Sequence, residues 1–422
     1  MKGKQLGILL VLVVVLGGLG IIVHNHESNT DRGGNASMGQ KLLGNNFPLN
    51  DVAHIGIKQA SNECNLVKKD NLWCVSERGN YPANYSEIAE FLLKAQDIKI
   101  TQSETVGPSQ LPRLALVSGQ GTNSALTLEF KDKSDKPIKT LLLGKKHMKK
   151  SDRPSPYGDM GEEGYPDGRY VKVGDSDNVA VISDALANIE PKPENWLNKD
   201  FFKVEKVRSI AVDFPVATNS WKISRESETG EWKLADAKPN EQLDSSKTSS
   251  LSNPLSSPSF QDVAVGAKPE ALGLDKPTTV TLDTFENFTY NIKVGQKTND
   301  NYPLMLTVAA QIPKERTAGK DEKAEDKAKL DKEFQDKNKK LQEKLDQEKA
   351  YEKWTYLVST WTLDSVLKER SQLMAEKKEE PKKDDNKADA STNATTTADA
   401  KVIAPENIPP GPPAPAEASP KK

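Results

Sequence analysis

The chain has 422 residues, with 59 Lys and Arg against 61 Asp and Glu, which gives a formal net charge of -2. Nucleic-acid-binding domains are usually distinctly basic, so this near-balance argues against a nucleic-acid partner. Only 35% of the residues are hydrophobic and 28% are charged, so part of the chain is expected to lie outside any core. With four His and two Cys, few side chains remain for a metal site, and no cofactor is predicted.

An apolar run from Leu6 to Val23, preceded by Lys2 and Lys4, is the first element of the chain. As a helix it would measure roughly 27 Å, enough to cross a bilayer core once. Because positive charge stays on the cytoplasmic side, we expect a cytoplasmic N-terminus at the inner membrane and a periplasmic or otherwise extracytoplasmic bulk. Residues 1–23 are therefore predicted to be the anchor and residues 24–46 a flexible stalk. A cleaved signal peptide remains the alternative, although its apolar region is normally shorter and followed by small residues.

Cys64 and Cys74 lie in a predicted strand–turn–strand segment that runs from Asn62 to Ser76. An oxidising compartment would let the two thiols pair as a disulfide across this hairpin. Two half-buried free thiols are the alternative. The choice depends on strand register, which the sequence does not fix to one residue.

A weak internal repeat indicates two tandem α+β units, at residues 47–200 and 201–374. Each unit reads as a strand hairpin, a helix, a four-strand antiparallel meander and a short closing helix. Four segments recur in the same order at offsets of roughly 150 to 160 residues. The matched segments are Val52–Ile57 with Val207–Val212, Asp70–Val75 with Thr229–Leu234, Leu126–Phe130 with Val280–Thr284, and Leu143–Lys146 with Val294–Lys297.

The helix of the first unit is the best-defined element in the sequence. Asn84 is a capping residue with Glu87 three positions later, and four apolar residues then form one helical stripe. The stripe consists of Ile88, Phe91, Leu92 and Ala95. Its counterpart in the second unit, at about Leu243–Leu255, is rich in Ser and interrupted by Pro254, which disfavours a long helix.

Two segments of the chain carry the motifs of a known family. Ala271–Pro277 reads Ala-Leu-Gly-Leu-Asp-Lys-Pro, and Trp196–Phe202 reads Trp-Leu-Asn-Lys-Asp-Phe-Phe. With the strand pattern around them, over about residues 47–310 and 353–374, they resemble domain of unknown function 4340, a bacterial family of membrane-anchored proteins. In the first unit, Leu114–Leu116 stands where the family has its Gly-Leu motif. The resemblance implies an association with transporters of the gliding-motility ABC type, and it implies no chemistry.

A segment packed with Lys, Glu and Asp, at residues 313–352, replaces the hairpin turn Gly174–Asn178 of the first unit. Its ends should then lie close together, which a single straight helix of roughly 46 Å does not allow. We therefore expect an antiparallel helical hairpin that turns near Asp336–Lys340. Its apolar contacts would join Leu330 and Phe334 to Leu341 and Leu345. A solvated charged arm and a coiled-coil partner helix are the alternatives.

Residues 375–422 form a charged, then Thr/Ala-rich, then Pro-rich tail. This composition cannot bury enough apolar surface to order itself, so the tail is predicted to be disordered. Its Pro409–Pro413 segment is typical of polyproline structure.

No arrangement of residues indicates catalysis. His54 and His147 lie in a strand and a loop without a neighbouring Ser, Cys or Asp pattern, so the protein is predicted not to be an enzyme. The long loop Ser151–Gly168 is the candidate binding surface, because long loops often carry function. The residues assigned to a binding surface are Tyr157, Asp159, Tyr165, Trp221 and Trp361.

Two functions follow as hypotheses. The first is a non-enzymatic envelope protein that is anchored by one membrane span and binds a protein partner, such as the subunits of an ABC transporter. The second is a module that binds a small ligand or polysaccharide in a groove between the two units. Exposed aromatic side chains in one groove would favour the second function.

Overall fold

Two antiparallel sheets, one for each predicted unit, make up most of the structure. The computed structural model describes residues 38–121, 124–149, 165–239, 241–317 and 322–376. The predicted anchor, Tyr157, Asp159 and the tail beyond residue 376 lie outside the described residues. Among the helices that are described, none combines the length and the apolar character needed to cross a membrane.

The first sheet has nine strands in the order β4-β3-β2-β1-β6-β7-β8-β9-β5. Its strands are β1 (His54–Gln59), β2 (Asn62–Lys69), β3 (Leu72–Val75), β4 (Tyr81–Pro82), β5 (Ile100–Thr105), β6 (Leu126–Lys131), β7 (Pro137–Lys149), β8 (Tyr165–Val173) and β9 (Asn178–Ile182). Helix α1 (Tyr85–Asp97) packs on this sheet, and its buried residues are the four of the predicted stripe. The side chain of Asn84 accepts from the backbone N–H groups of Ser86 and Glu87, so the predicted cap is confirmed.

The second sheet has eight strands in the order β12-β11-β10-β14-β15-β16-β17-β13. Its strands are β10 (Val207–Asp213), β11 (Trp221–Ser224), β12 (Lys233–Leu234), β13 (Phe260–Ala264), β14 (Thr278–Thr284), β15 (Phe288–Val294), β16 (Asn301–Ala310) and β17 (Thr355–Ser359). The helices of this part are α2 (Ser245–Thr248), α3 (Ala324–Lys349), α4 (Thr360–Leu363) and α5 (Arg370–Leu373). The short α2 stands where the Ser-rich counterpart of α1 is expected.

The repeat is visible in the topology of the sheets. When β4 is left out, the strand order of the first sheet matches that of the second sheet element for element. The register also corrects one sequence match. Leu126 pairs with Leu143, and Thr278 pairs with Val294, so Leu126 corresponds to Thr278 and the match to Val280 is wrong by two residues. A two-residue shift keeps every side chain on the same face of a sheet, and the apolar pattern therefore could not reveal it.

One close contact recurs in both units. The turn Leu111–Leu114 is followed by Ala115, and the turn Pro269–Leu272 is followed by Gly273, both with left-handed backbone. Each turn presses a carbonyl oxygen onto a glycine, Leu114 onto Gly144 within β7 and Leu272 onto Gly295 just after β15, where an added Cβ would overlap the oxygen. The Gly273-Leu274 pair therefore serves packing, and the first unit keeps the same contact with Ala115 in place of glycine.

The predicted helical hairpin in the charged insertion is wrong. Helix α3 is unbroken, while β16 and β17 still pair over Asn301–Leu304. The two ends of the insertion do not need to meet. Strand β16 runs beside β15 as far as Ala310, whereas its pairing with β17 stops at Leu304. The segment that follows β16 lies along α3. There Asn338 donates to the Pro313 carbonyl at 2.5 Å, and Arg316 donates to Asp331 at 2.8 Å.

The apolar residues of the insertion pack differently from the expected pairs. Leu341 and Leu345 on α3 are buried in the main core, whereas Leu330 is 36% exposed near the start of the helix. The second half of α3 is therefore attached to the second sheet. The segment that carries Pro313 and Arg316 contacts the middle of the helix, at Asn338 and Asp331.

The predicted disulfide is not formed, since Cys64 and Cys74 are both buried free thiols. Strand register gives the reason. Cys64 pairs with Ile57 and shares its face of the sheet with Leu66, whereas Cys74 pairs with Val67 on the opposite face. Directly paired side chains point to the same face and successive ones alternate, so the two sulfurs lie on opposite sides of the sheet.

Both sheets contribute to one continuous hydrophobic core and belong to one compact unit that ends at Ala375. Tyr81 on β4 lies at the centre of the contact between them. Its ring packs edge-on against Phe260 at 5.8 Å, Trp354 at 5.1 Å and Tyr356 at 6.1 Å between ring centroids. The two predicted units are therefore joined through buried aromatic side chains.

Candidate functional site

An ion pair crosses the joint between the two sheets beside these aromatic rings. Arg78, at the end of the turn Ser76–Arg78, donates to Asp262 on β13 at 2.6 and 2.8 Å and to Glu194 at 3.3 Å. The hydrogen bond to Asp262 raises the pKa of Arg78, so the guanidinium stays charged. Lys199 adds a bond to the Gln261 carbonyl at 2.6 Å. These contacts make the joint a polar and aromatic seam that fixes the two sheets against each other.

A cleft of about 580 Å³ opens next to this joint, at the start of α1. One wall is the β3–β4 edge of the first sheet, and the other is the segment Asn198–Asp200 from the Trp-Leu-x-x-Asp-Phe-Phe motif. Leu72 and Tyr85 stand on its rim with 66% and 68% of their surface exposed. The lining residues are Asn71, Leu72, Trp73, Pro82, Ala83, Asn84, Tyr85, Ser86, Asn198, Lys199 and Asp200. We refer to this site as the α1 cleft.

Two amide side chains in the α1 cleft have a fixed orientation. The Oδ1 atom of Asn84 accepts from the first turn of α1, and the Oδ1 atom of Asn198 accepts from the backbone N–H of Asp200 at 2.9 Å. Each amide nitrogen is therefore left as a donor on the cleft wall. Apolar rim residues with a few oriented polar groups are the composition of a recognition site.

A second cleft, of about 620 Å³, lies between the β2–β3 turn and the β6–β7 turn. His54 lines it, with its Nδ1 2.7 Å from Asp135 and its Nε2 2.8 Å from the Asn65 side-chain oxygen. Lysines and aspartates of both turns surround it. The lining includes Lys68, Lys69, Asp70, Ser76, Asp132, Lys133 and Asp135. Both ring nitrogens of His54 are thus engaged, which leaves none to serve a nucleophile.

The buried titratable groups serve structure. Glu348, near the end of α3, accepts from the Lys203 backbone N–H at 2.9 Å and from the Tyr290 hydroxyl at 2.7 Å. Burial raises the pKa of Glu348, and burial with the nearby Glu77 raises the pKa of the Cys64 thiol well above its usual range. A thiol that holds its proton is not a nucleophile. Within the described residues, no group of three or more His, Cys, Asp or Glu could hold a metal ion.

The three predicted binding residues that the structure describes differ in their exposure. Tyr165 is 52% exposed at the start of β8, and Trp361 is 68% exposed on α4. Trp221 is a correction, because it is 3% exposed and its indole N–H donates to the Lys368 carbonyl at 2.6 Å. An indole held in this way packs the second sheet against the chain leading to α5, so Trp221 does not contribute to a binding surface.

The residues of the α1 cleft were not identified as a site from the sequence. Asn84 was recognised as a helix cap and Trp196–Phe202 as a family motif, but nothing in the sequence indicates that the two meet. The sequence contains one signal that indicates an exposed apolar surface here. Leu72 directly follows Asp70 and Asn71, both of which have positive φ as in a two-residue hairpin turn. A large apolar residue next to such a turn is exposed unless another element covers it.

Comparison with known proteins gives one family. Residues 160–277 match the family described as domain of unknown function (DUF4340). Over this stretch the chain is similar to that family. The match confirms the family recognised from the motifs and spans a shorter part of the chain than the resemblance did. No curated protein and no solved structure matches the chain.

The DUF4340 match contributes directly to the α1 cleft. It includes Asn198–Asp200 on the cleft wall, Phe201 and Phe202 in the core, and the Pro269–Leu272 turn that packs on Gly295. The family motifs therefore serve two purposes here. One forms the wall of a cleft, and the other closes the second sheet.

Proposed function

We propose that this DUF4340 protein is a non-enzymatic, membrane-anchored extracytoplasmic protein that binds a protein partner as an accessory component of an envelope complex. The family resemblance implies an ABC transporter as the class of partner. The observation that carries the proposal is the pair of exposed side chains, Leu72 and Tyr85, on the rim of the α1 cleft. Large apolar and aromatic residues around a concave surface are typical of protein interfaces.

The position of the α1 cleft supports a protein partner. It lies beside the joint between the sheets, which Arg78 and Tyr81 hold in one arrangement. A site on rigid elements costs little ordering on binding, so a modest contact area can suffice. The apolar run Leu6–Val23 supports the location, because it would tether this surface to the membrane where transporter subunits reside.

Site-specific photo-cross-linking in cells that make the full chain tests the proposal. A photoreactive amino acid replaces Leu72 or Tyr85, and the matched control replaces Leu93, which is 55% exposed on α1 outside the cleft lining. We expect one membrane-protein adduct common to positions 72 and 85 and absent from position 93. Substituting Tyr85→Ser should abolish the adduct formed at position 72. Equal labelling from all three positions, or none at 72 and 85, would contradict the proposal.

A polysaccharide or small ligand is the second candidate, and the oriented amides of Asn84 and Asn198 favour it. Amide and carboxylate side chains can bond the hydroxyl groups of a sugar, with Tyr85 beside them. Titration of the full chain with soluble peptidoglycan fragments, followed by tryptophan fluorescence, tests this function. The signal of Trp73, which lines the α1 cleft, should change in the natural protein and stay constant in an Asn84→Ala, Asn198→Ala variant.

A further inference from the structure

Each ring nitrogen of His54 faces a hydrogen-bond acceptor. The groups around each acceptor show which atom it is. Its Nε2 faces the side-chain oxygen of Asn65 at 2.8 Å. That amide cannot be turned over, because its nitrogen donates to Glu77 at 2.7 Å and to Glu63 at 3.0 Å. A flipped amide would place its oxygen against two carboxylates. The group that faces Nε2 is therefore an acceptor.

The second acceptor is a carboxylate. Asp135 lies 2.7 Å from the Nδ1 atom of His54, and this hydrogen bond holds the pKa of Asp135 below its usual range. A neutral imidazole carries one N–H and one lone pair, so it can serve only one of the two acceptors. The observed geometry is satisfied by an imidazolium, which donates from both nitrogens.

The network that starts at His54 ends at the joint between the sheets. Glu77 accepts from both the side chain and the backbone N–H of Asn65, the latter at 2.9 and 3.1 Å. The next residue is Arg78, which donates to Asp262 on the second sheet. Because Glu77 and Arg78 share one three-residue turn, the bonds that hold Glu77 also position Arg78.

We propose that His54 is a proton-controlled lock on the joint between the two sheets. The doubly protonated ring fixes Asn65 and, through it, the turn that carries Glu77 and Arg78. Loss of one proton breaks a bond to Asn65 or Asp135 and loosens this turn. The lock is thus set at acidic pH and released as the ring is neutralised. It does not depend on the proposed partner.

Charged groups of both signs surround His54. Asp135, Glu63 and Glu77 are the nearby carboxylates, and the Lys131 ammonium group lies 3.9 Å from Asp135 and 3.3 Å from Glu129. The β2–β3 and β6–β7 turns, which border the cleft that His54 lines, add further charged groups of both signs. These are Lys68, Lys69, Asp70, Asp132 and Lys133.

Nitrogen NMR of the full chain, labelled only at its four histidines, tests the charge state. We expect protons on both ring nitrogens of His54, because each nitrogen faces an acceptor. An Asn65→Ala, Asp135→Asn variant should show the single-proton pattern. A single proton on His54 of the natural protein would overturn the proposal.

Hydrogen exchange tests the coupling to the joint. In His54→Gln, the amides of Glu77–Asn80 and Asp262–Ala264 should exchange about tenfold faster at pH 5.5 and lose their pH-dependent protection. His147→Gln is the matched control, because His147 pairs with Asp167 away from the joint and should leave both segments unchanged. Asp135→Asn, at a largely exposed residue, gives the same test if His54→Gln does not fold. Unchanged protection in a folded variant would also overturn the proposal.

Discussion

Arg78 and Asp262 form a side-by-side ion pair across the two sheets, with Nε 2.6 Å from Oδ1 and Nη2 2.8 Å from Oδ2. Both side chains are about one-fifth exposed, so solvent screens this pair less than an ion pair on the open surface. The two residues come from different copies of the repeat. The pair therefore has no counterpart within a single copy, and it fixes how the copies meet.

Removing either partner should weaken the fold through the loss of this pair. We expect Arg78→Ala to lower the free energy of unfolding by about 2–3 kcal/mol, because Asp262 is left half-buried without its cation. Urea denaturation of Arg78→Ala, Asp262→Ala and the double variant should give a coupling energy of about 1–3 kcal/mol. Lys192→Ala removes the exposed Lys192–Glu190 pair and should leave the stability nearly unchanged. Additive effects at residues 78 and 262 would contradict the expectation.

A methyl group at Gly295 should destabilise the second sheet. In Gly295→Ala the new Cβ would overlap the Leu272 carbonyl oxygen, which is backbone and cannot move aside cheaply. We expect a loss of about 1–3 kcal/mol of unfolding free energy. Gly107→Ala is the control, because nothing lies within 4 Å of a Cβ there and its φ is not positive. Equal thermal midpoints for the two variants would show that the contact is not as tight as described.

The two cysteines should react as free thiols. Denaturation of the oxidatively purified protein without reductant should make two thiols available to an alkylating reagent, as counted by mass. In the folded protein Cys64 should react slowly, since its side chain is fully buried and its pKa is raised by burial. If no free thiol is found after denaturation, Cys64 and Cys74 are bonded to each other. The strands would then pair in a different register, which brings both side chains to one face of the sheet.

The attachment of α3 should depend on pH through Glu348. Because burial raises its pKa in the fold, the folded state holds this proton more tightly than the unfolded chain. Its stabilising contribution is then full below the unfolded pKa of about 4.5 and is lost as pH rises through the folded pKa. Relative to Glu348→Gln, the natural protein should therefore lose unfolding free energy as pH increases from about 4.5. A flat difference between the two proteins would rule this out.

Local features of the fold could be predicted from the sequence because they depend on neighbours along the chain. Helix α1 begins at the cap Asn84 and buries the predicted stripe, since both signals repeat within one or two helical turns. The duplication was visible for the same reason, because each copy keeps its own strand and turn pattern. Strand register was not, as a shift of two residues leaves the apolar pattern unchanged.

Long-range placement was decided only by the tertiary structure. The insertion was expected to close on itself as a helical hairpin, but β16 extends beside β15 and the chain returns along an unbroken α3. The α1 cleft joins Leu72, Tyr85 and Asn198, which come from three separate segments. No short-range pattern encodes such a meeting.

The sequence by itself determined the composition of the protein: two copies of an α+β unit, family motifs that shape turns, and an apolar run before them. The tertiary structure decided the pairing of those copies, through Tyr81 in an aromatic cluster and Arg78 on Asp262. The physical reason is the range of the interactions. Secondary structure is set by residues a few positions apart, whereas contacts between sheets depend on side chains that only the completed fold brings within bonding distance.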